Sequence, residues 1–283
     1  MSVVSGCEKS PWRRAAWCLL LAIAMVGTGC RKTKPDAKVE VQQNHREMVV
    51  HLGHNVTMRL MLLPAGQFKM GSPDAEEGRG EDEGPVRLVT LSKPFYIAVT
   101  EVTQDQYEAV MSDNPSTFEG GANPVEEVSW EKAVAFCEKL SSISGKTFRL
   151  PTEAEWEYAC RAGTRTAYCR GDRQEDLMKV GWFCFDATVV KTTRPAASLQ
   201  ANPWGLYDMH GNIWEWCSDW YAEDYYAARN NQLDPIGPTT GTERILRGGS
   251  WSDDPEDCRS AYRESQPPDY ADDDIGFRIV CQD

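Results

Sequence analysis

The stretch that constrains this chain most is residues 202–221, Asn-Pro-Trp-Gly-Leu-Tyr-Asp-Met-His-Gly-Asn-Ile-Trp-Glu-Trp-Cys-Ser-Asp-Trp-Tyr, which holds four of the ten tryptophans. Each indole buries roughly 150–250 Å², more than a short strand or an amphipathic helix can cover alone. The rest of the domain must therefore close around Trp204, Trp214, Trp216 and Trp220. Gly205 and Gly211 allow the backbone to bend sharply between these rings. Asp208, Asn212, Glu215 and Asp219 place oxygen donors among the apolar groups. Such oxygens serve either the turns of a packed core or a hard cation.

Around this centre the regular elements announce themselves by caps and spacing. Residues 57–70 alternate as two strands about a turn at Pro64-Ala-Gly66. Thr103 with Gln106 three residues on forms a capping box, predicting a helix to Met111. Ser129 caps a helix predicted over 130–142, with Ala133, Val134, Phe136, Cys137 and Leu140 on one stripe and Gly145 as its stop. Thr152 and Glu155 form a second capping box, opening a helix with Trp156, Ala159 and Cys160 that Gly163 ends. Glu153, Glu155 and Glu157 read as partners of the helix dipole and as solvated faces. The acidic, glycine-rich residues 74–84 read as a solvated loop. Helices are few and strands short.

A basic start (Lys9, Arg13, Arg14) precedes an apolar run of 12 residues over 15–26. That length suits an export signal and falls short of the about 20 residues a membrane span needs. Gly27-Thr28-Gly29 then leads to Cys30 in a lipobox-like pattern, with Gly27 where leucine is usual. The expectation is a signal peptide over 1–29, a lipidated Cys30, a flexible tether over 30–56 and one domain over 57–283. The protein would then sit on a membrane of the cell envelope, facing an extracytoplasmic compartment. Cleavage after Gly29 without lipidation stays open. A net charge of −13 argues against nucleic acid as a partner. Export permits disulfides. The domain holds Cys137, Cys160, Cys169, Cys184, Cys217, Cys258 and Cys281, an odd number whose pairing spacing alone does not give.

Gly-Leu-Tyr-Asp-Met-His-Gly-Asn-Ile-Trp-Glu-Trp resembles the signature of the formylglycine-generating enzyme, or sulfatase-modifying factor, family. The stretches at 64–72, 149–159, 246–251 (Leu-Arg-Gly-Gly-Ser-Trp) and 276–278 (Gly-Phe-Arg) follow in the family's order. The resemblance implies a C-type-lectin-like α+β fold with sparse regular structure. It also implies calcium held by the Asp208 and Glu215 side chains and the Gly211 and Ile213 carbonyls. Disulfides Cys137–Cys281, with Cys281 two residues from its usual place, and Cys160–Cys258 are implied too.

The family's oxidases bind copper(I) through two cysteines, at the third and eighth positions after the Arg-Gly-Gly-Ser serine. Here those positions are Asp253 and Cys258. A carboxylate is a hard ligand and a poor replacement for thiolate at copper(I). The serine and tryptophan of the family's oxygen pocket are kept as Ser250 and Trp214. The expectation is a binding or structural module without copper, whose acidic pocket rim suits a cationic ligand or a protein or peptide partner. The alternative is an oxidase that converts a protein cysteine to formylglycine, with Cys258, Ser250 and Trp214 as catalytic residues.

Overall fold

The structure, a computed structural model, describes residues 39–44, 46–185, 191–228 and 232–282. Cys30 and the expected signal peptide over 1–29 lie outside the described residues. Among those described, no helix is long and apolar enough to cross a membrane.

Strands β1 (Glu40–Gln43), β2 (Glu47–Gly53), β3 (Val56–Leu63), β4 (Gly66–Met70), β5 (Arg87–Leu91) and β6 (Phe95–Ala98) lead to helix α1 (Gln104–Met111). Helix α2 (Trp130–Ser144), β7 (Thr147–Arg149) and helices α3 (Glu153–Arg161) and α4 (Gln174–Leu177) follow. The remaining strands are β8 (Gly181–Trp182), β9 (His210–Gly211), β10 (Trp214–Trp220), β11 (Gln232–Leu233), β12 (Arg244–Arg247), β13 (Glu264–Gln266), β14 (Ile275–Gly276) and β15 (Val280–Gln282). They form a six-stranded sheet in the order β1-β2-β3-β6-β15-β7, a four-stranded sheet β13-β12-β10-β14, a three-stranded sheet β11-β5-β4 and the pair β8-β9. The fold is α+β with sparse regular structure, as expected.

The expected start at residue 57 moves back. Met48, Val50 and Leu52 of β2 are buried, and Met48 and Val50 pair across to β3, so residues placed in the tether belong to the domain. The strict in–out alternation of β2 is the signature of a half-buried strand.

All three capped helices form where their caps stand. Thr103 and Thr152 each accept from the N3 backbone while Gln106 or Glu155 reaches back to the cap. The stripe of α2 packs Phe136 against Tyr107, ring centres 5.6 Å apart, and against Phe277 at 5.2 Å. Truncating such a ring costs about 3–5 kcal/mol. Trp216 is fully buried and donates its indole N–H to the Val128 carbonyl at 2.8 Å, which ties β10 to the entry of α2.

The glutamates of α3 are not on a solvated face. Glu153, Glu155 and Glu157 are all buried and arginine-paired: Glu153 to Arg263 at 2.7 Å, Glu155 to Arg149 at 2.7 Å, and Glu157 to both Arg161 at 2.8 Å and Arg247 at 2.5 Å. The acidic loop over 74–84 is likewise held down, because Arg259 grips Glu76 at 2.8 Å and Glu83 at 2.6 Å. The partners stand 90 or more positions away in sequence for the Arg247, Arg259 and Arg263 pairs. No local pattern could have announced them.

Candidate functional site

Two places around the tryptophan-rich segment concentrate polar chemistry. The first lies where β9 leads into β10. Asp208, Gly211 and Asn212 all take positive φ (53°, 74° and 71°), so the chain doubles back twice within five residues. At Gly211 a Cβ would sit 2.0 Å from the Trp182 carbonyl oxygen, which leaves glycine as the one residue that fits. The bends direct the Asp208 carboxyl inward. Its Oδ2 accepts from the Ala197 N–H at 2.7 Å, while Oδ1 is buried without a partner. Facing it is Glu101. Oε1 of Glu101 accepts from the Asn212 amide at 3.0 Å, and its Oε2 is also buried without a partner. Burial raises both, helped by the charge of Glu215 at Asp208 and by that of Asp208 at Glu101, while Glu101 itself draws Asp208 down: Asp208 is pushed up to about 6 and Glu101 well above the usual carboxylate range.

Glu215 sits otherwise than the resemblance implies. Arg278 holds it through two 2.6 Å contacts, Nε to Oε2 and Nη2 to Oε1, and the Trp156 indole adds a third at 2.7 Å. Both its oxygens are engaged before any cation arrives. The two orphaned oxygens of Asp208 and Glu101 are what a hard cation would satisfy. The residues therefore fit calcium, with Glu101 in the acidic role expected of Glu215. Glu101 was missed from sequence because it stands alone after β6, with no second acid at ligand spacing.

The second place is a cavity of about 260 Å³. Trp214, Tyr262 and Tyr270 supply rings, Leu246 and Ile275 a small apolar surface, and Asp253, Asp254, Asp257, Glu264, Asp272 and Asp274 the acids. The Trp214 and Tyr262 ring centres are 5.9 Å apart. Ser250 is buried at its edge. The Ser250 hydroxyl lies 2.5 Å from Asp253 Oδ2 and 3.0 Å from Asp274 Oδ2, and the Ser252 hydroxyl donates to the same Asp274 oxygen at 3.0 Å. The Ser250 backbone N–H also donates to Asp253, at 3.0 Å. Each carboxylate is thus met by neutral donors, Asp253 by Ser250 and Asp274 by Ser252, and not by a positive charge. Burial, with Asp253 as the nearest like charge, pushes Asp257 and Asp274 each up to about 6. Among the described residues no arginine or lysine forms an ion pair with Asp253, Asp254, Asp257 or Asp274.

Sequence reasoning brought Ser250, Trp214 and Asp253 to one place, and the structure agrees. Cys258 stands apart from them. It is fully buried, packed with Ala167, Tyr168, Leu177 and Phe183 behind Gly249, and it does not line the cavity. Burial and the neighbouring aspartates raise its thiol well above the usual range. This donor set does not fit copper(I): a carboxylate tied to Ser250 and a protonated, sequestered thiol are not a pair of thiolates.

Neither bridge that the resemblance implied is formed, because Cys137, Cys160 and Cys258 all carry thiols. The Cys160 sulfur instead meets the His210 ring at 3.6 Å and Ser260 Oγ at 3.6 Å, while His210 Nδ1 lies 2.8 Å from the Cys258 carbonyl oxygen. The imidazole occupies the ground between the two cysteines. Cys137 and Cys281 share the larger core with the Phe136 cluster, where burial pushes the Cys137 thiol up.

The chain is similar to proteins already known. A model of the sulfatase-modifying factor enzyme 1-like domain matches residues 47–283. The chain is 33% identical over 282 residues to a formylglycine-generating enzyme of Streptomyces coelicolor, covering 77% of this chain and 87% of that protein. It is 32% identical over 252 residues to the serine/threonine-protein kinase pkn1 of Chlamydia pneumoniae, covering 80% of this chain but 38% of the kinase-named protein's length. Among solved structures, Treponema denticola variable protein 1 superposes with a TM-score of 0.75 at 30% identity, covering 84% of this chain and 99% of that one.

Proposed function

The chain belongs to the sulfatase-modifying factor enzyme 1-like family, and from that premise we propose that it is a binding module which has kept the family's pocket and given up copper oxidation. The observation that carries the reading is the state of the two copper positions. Asp253 is spent on Ser250, and Cys258 is walled off from the cavity. What Ser250 and Trp214 still shape is an acidic, ring-lined recess, which favours a cationic ligand or peptide. In this reading Ser250 positions Asp253 and Asp274, and the rings exclude water from one wall.

Calcium at Asp208, Glu101 and the neighbouring carbonyls would be structural, since it would neutralise two acids at the base of β10 rather than reach the cavity. The N-terminal pattern supports tethering to a membrane through Cys30, and Cys30→Ala should shift the protein to the soluble fraction. If fractionation is unchanged, the tether is wrong.

The decisive experiment is peptide mass spectrometry after incubation with copper(I), O₂ and a Cys-x-Pro-x-Arg peptide, beside an Asp253→Cys variant. The expected result is no aldehyde above the control without protein. Turnover by the unaltered chain restores the oxidase reading.

A further inference from the structure

Three buried arginines of this molecule are held in one way. A carboxylate takes the charge and an aromatic face takes the plane. Arg247 pairs with Glu157 and lies 5.2 Å from the Trp156 ring centre. Arg263 pairs with Glu153 and lies 4.4 Å from that of Tyr226. Arg259 pairs with Glu83 and lies 5.8 Å from that of Tyr262. The 260 Å³ cavity repeats both halves of the arrangement, with Trp214 and Tyr262 as rings and Asp253, Asp257 and Asp274 as acids. Among the described residues no arginine lines it.

We propose that this cavity binds a guanidinium group supplied by a ligand, seated against Trp214 and Tyr262 with its N–H groups on Asp257 and Asp274. The proposal rests on the binding-module reading and names the ligand chemistry for it. A guanidinium is planar, weakly hydrated and carries five donors in a fixed fork, so it can meet a ring and several dispersed carboxylates at once. An ammonium is a strongly hydrated point charge and fills that geometry less well. A quaternary ammonium would satisfy the rings and leave the acids without hydrogen bonds. A divalent ion is disfavoured too. Of the one compact acid group here, Asp272 spends its oxygens on the Tyr270 hydroxyl at 2.7 Å and the Asp273 N–H at 2.9 Å. Asp274 gives Oδ2 to two serines, which leaves no open ring of oxygens around one point.

The test is calorimetric titration of the purified chain at pH 7.5 with Nα-acetyl-arginine amide, agmatine, Nα-acetyl-lysine amide, Nα-acetyl-citrulline amide and calcium chloride. Citrulline keeps the shape and removes the charge. The expected result is binding of one or both guanidinium probes, at least tenfold tighter than the lysine and citrulline probes. A preference for the acetyl-arginine amide identifies a peptide-borne group, and equal or tighter agmatine a small molecule. Asp257→Asn with Asp274→Asn should weaken the guanidinium probe tenfold or more, in a protein whose melting shows it folded. The comparison among probes on the unaltered chain needs no variant. Equal affinity for citrulline or lysine, or no binding by either guanidinium probe, overturns the proposal. The oxidase assay on the same preparation separates the failures: turnover sinks the binding-module reading, whereas flat titrations without turnover sink the guanidinium alone.

Discussion

Two clusters of acids lie around the same strand, β10, and they are built in opposite ways. On the α3 side, Glu153 and Glu157 are almost wholly withdrawn from water, and each is met by arginine and by hydrogen bonds. Arg247 also donates to the carbonyls of Ser260, Ala261 and Tyr262 through its two Nη atoms, while its Nε is buried without a partner. Burial by itself would push Glu153 up, but Arg263 and Arg247 outweigh it and hold the carboxyl below its usual value. On the cavity side, Asp257 and Asp274 have no cation among the described residues and are pushed up to about 6. The first cluster is closed and spends its charge on the fold. The second has no countercharge among the described residues, at some expense in stability.

The comparison breaks first at Arg247. Arg247→Met leaves Glu157 and Glu153 with part of their countercharge gone and should destabilise by about 3–5 kcal/mol, measured as a lowered denaturant midpoint. A midpoint within about 0.5 kcal/mol of the original chain would mean that the network carries little of the fold. Next in size is calcium. At 100 times its dissociation constant a ligand that binds only the folded state adds about 2.7 kcal/mol. Chelator should therefore lower the melting temperature, and Asp208→Asn or Glu101→Gln should remove that response. A chain whose melting ignores chelator, and in which elemental analysis finds no calcium, has no such site.

Asp257→Asn sharpens the contrast by moving stability the other way. Removing charge from the cavity should leave stability unchanged or raise it by up to about 1 kcal/mol, where the same loss on the α3 side would be destabilising. A drop of more than 1 kcal/mol would mean that the hydrogen bond Asp257 takes from the Tyr262 hydroxyl outweighs the repulsion among the cavity acids.

The pH dependence has two parts of opposite sign. Acids raised in the folded state, as Asp257 and Asp274 are, bind protons more readily folded than unfolded. Their stabilising contribution is present below the unfolded value and is lost as pH rises through about 6. Glu153 and Glu83, both lowered, contribute above the unfolded value and lose it as pH falls through their folded values, below 4.5. Melting temperature should thus rise from pH 7.5 to 5.5 and fall below about pH 4.5, and Asp257→Asn should flatten the first limb alone. The smallest effect belongs to Arg59–Glu47, where the arginine side chain is 60% exposed. Arg59→Gln should cost less than about 1 kcal/mol and vanish in high salt.

How much of this was legible in advance follows the range of the forces involved. The helix starts were, because a capping box is complete within four residues: Thr103 with Gln106, and Thr152 with Glu155, needed nothing from elsewhere. The stripe of α2 was, because helical periodicity is local. The family was, because its motifs are contiguous. Val134 is the one member of the stripe left partly buried, a matter of the stripe's edge. The contacts that decide the sites were not legible. Glu157 meets Arg247 across 90 positions, Arg259 meets Glu83 across 176, and Arg278 meets Glu215 across 63. A lone glutamate such as Glu101 carries no mark of the buried aspartate it will face.

The sequence by itself therefore determined the family, the α+β class, the three capped helices and the loss of one copper thiolate at Asp253. Only the tertiary structure decided that the α3 glutamates are buried and neutralised, and that Cys258 faces the core while His210 stands between it and Cys160. It also decided that Glu101 joins Asp208, and that the aspartates near Ser250 gather around two rings without a cation. The physical reason is that caps, turns and periodicity are settled by neighbours along the chain, whereas the environment of a charge is settled by whatever the fold brings within a few ångströms of it.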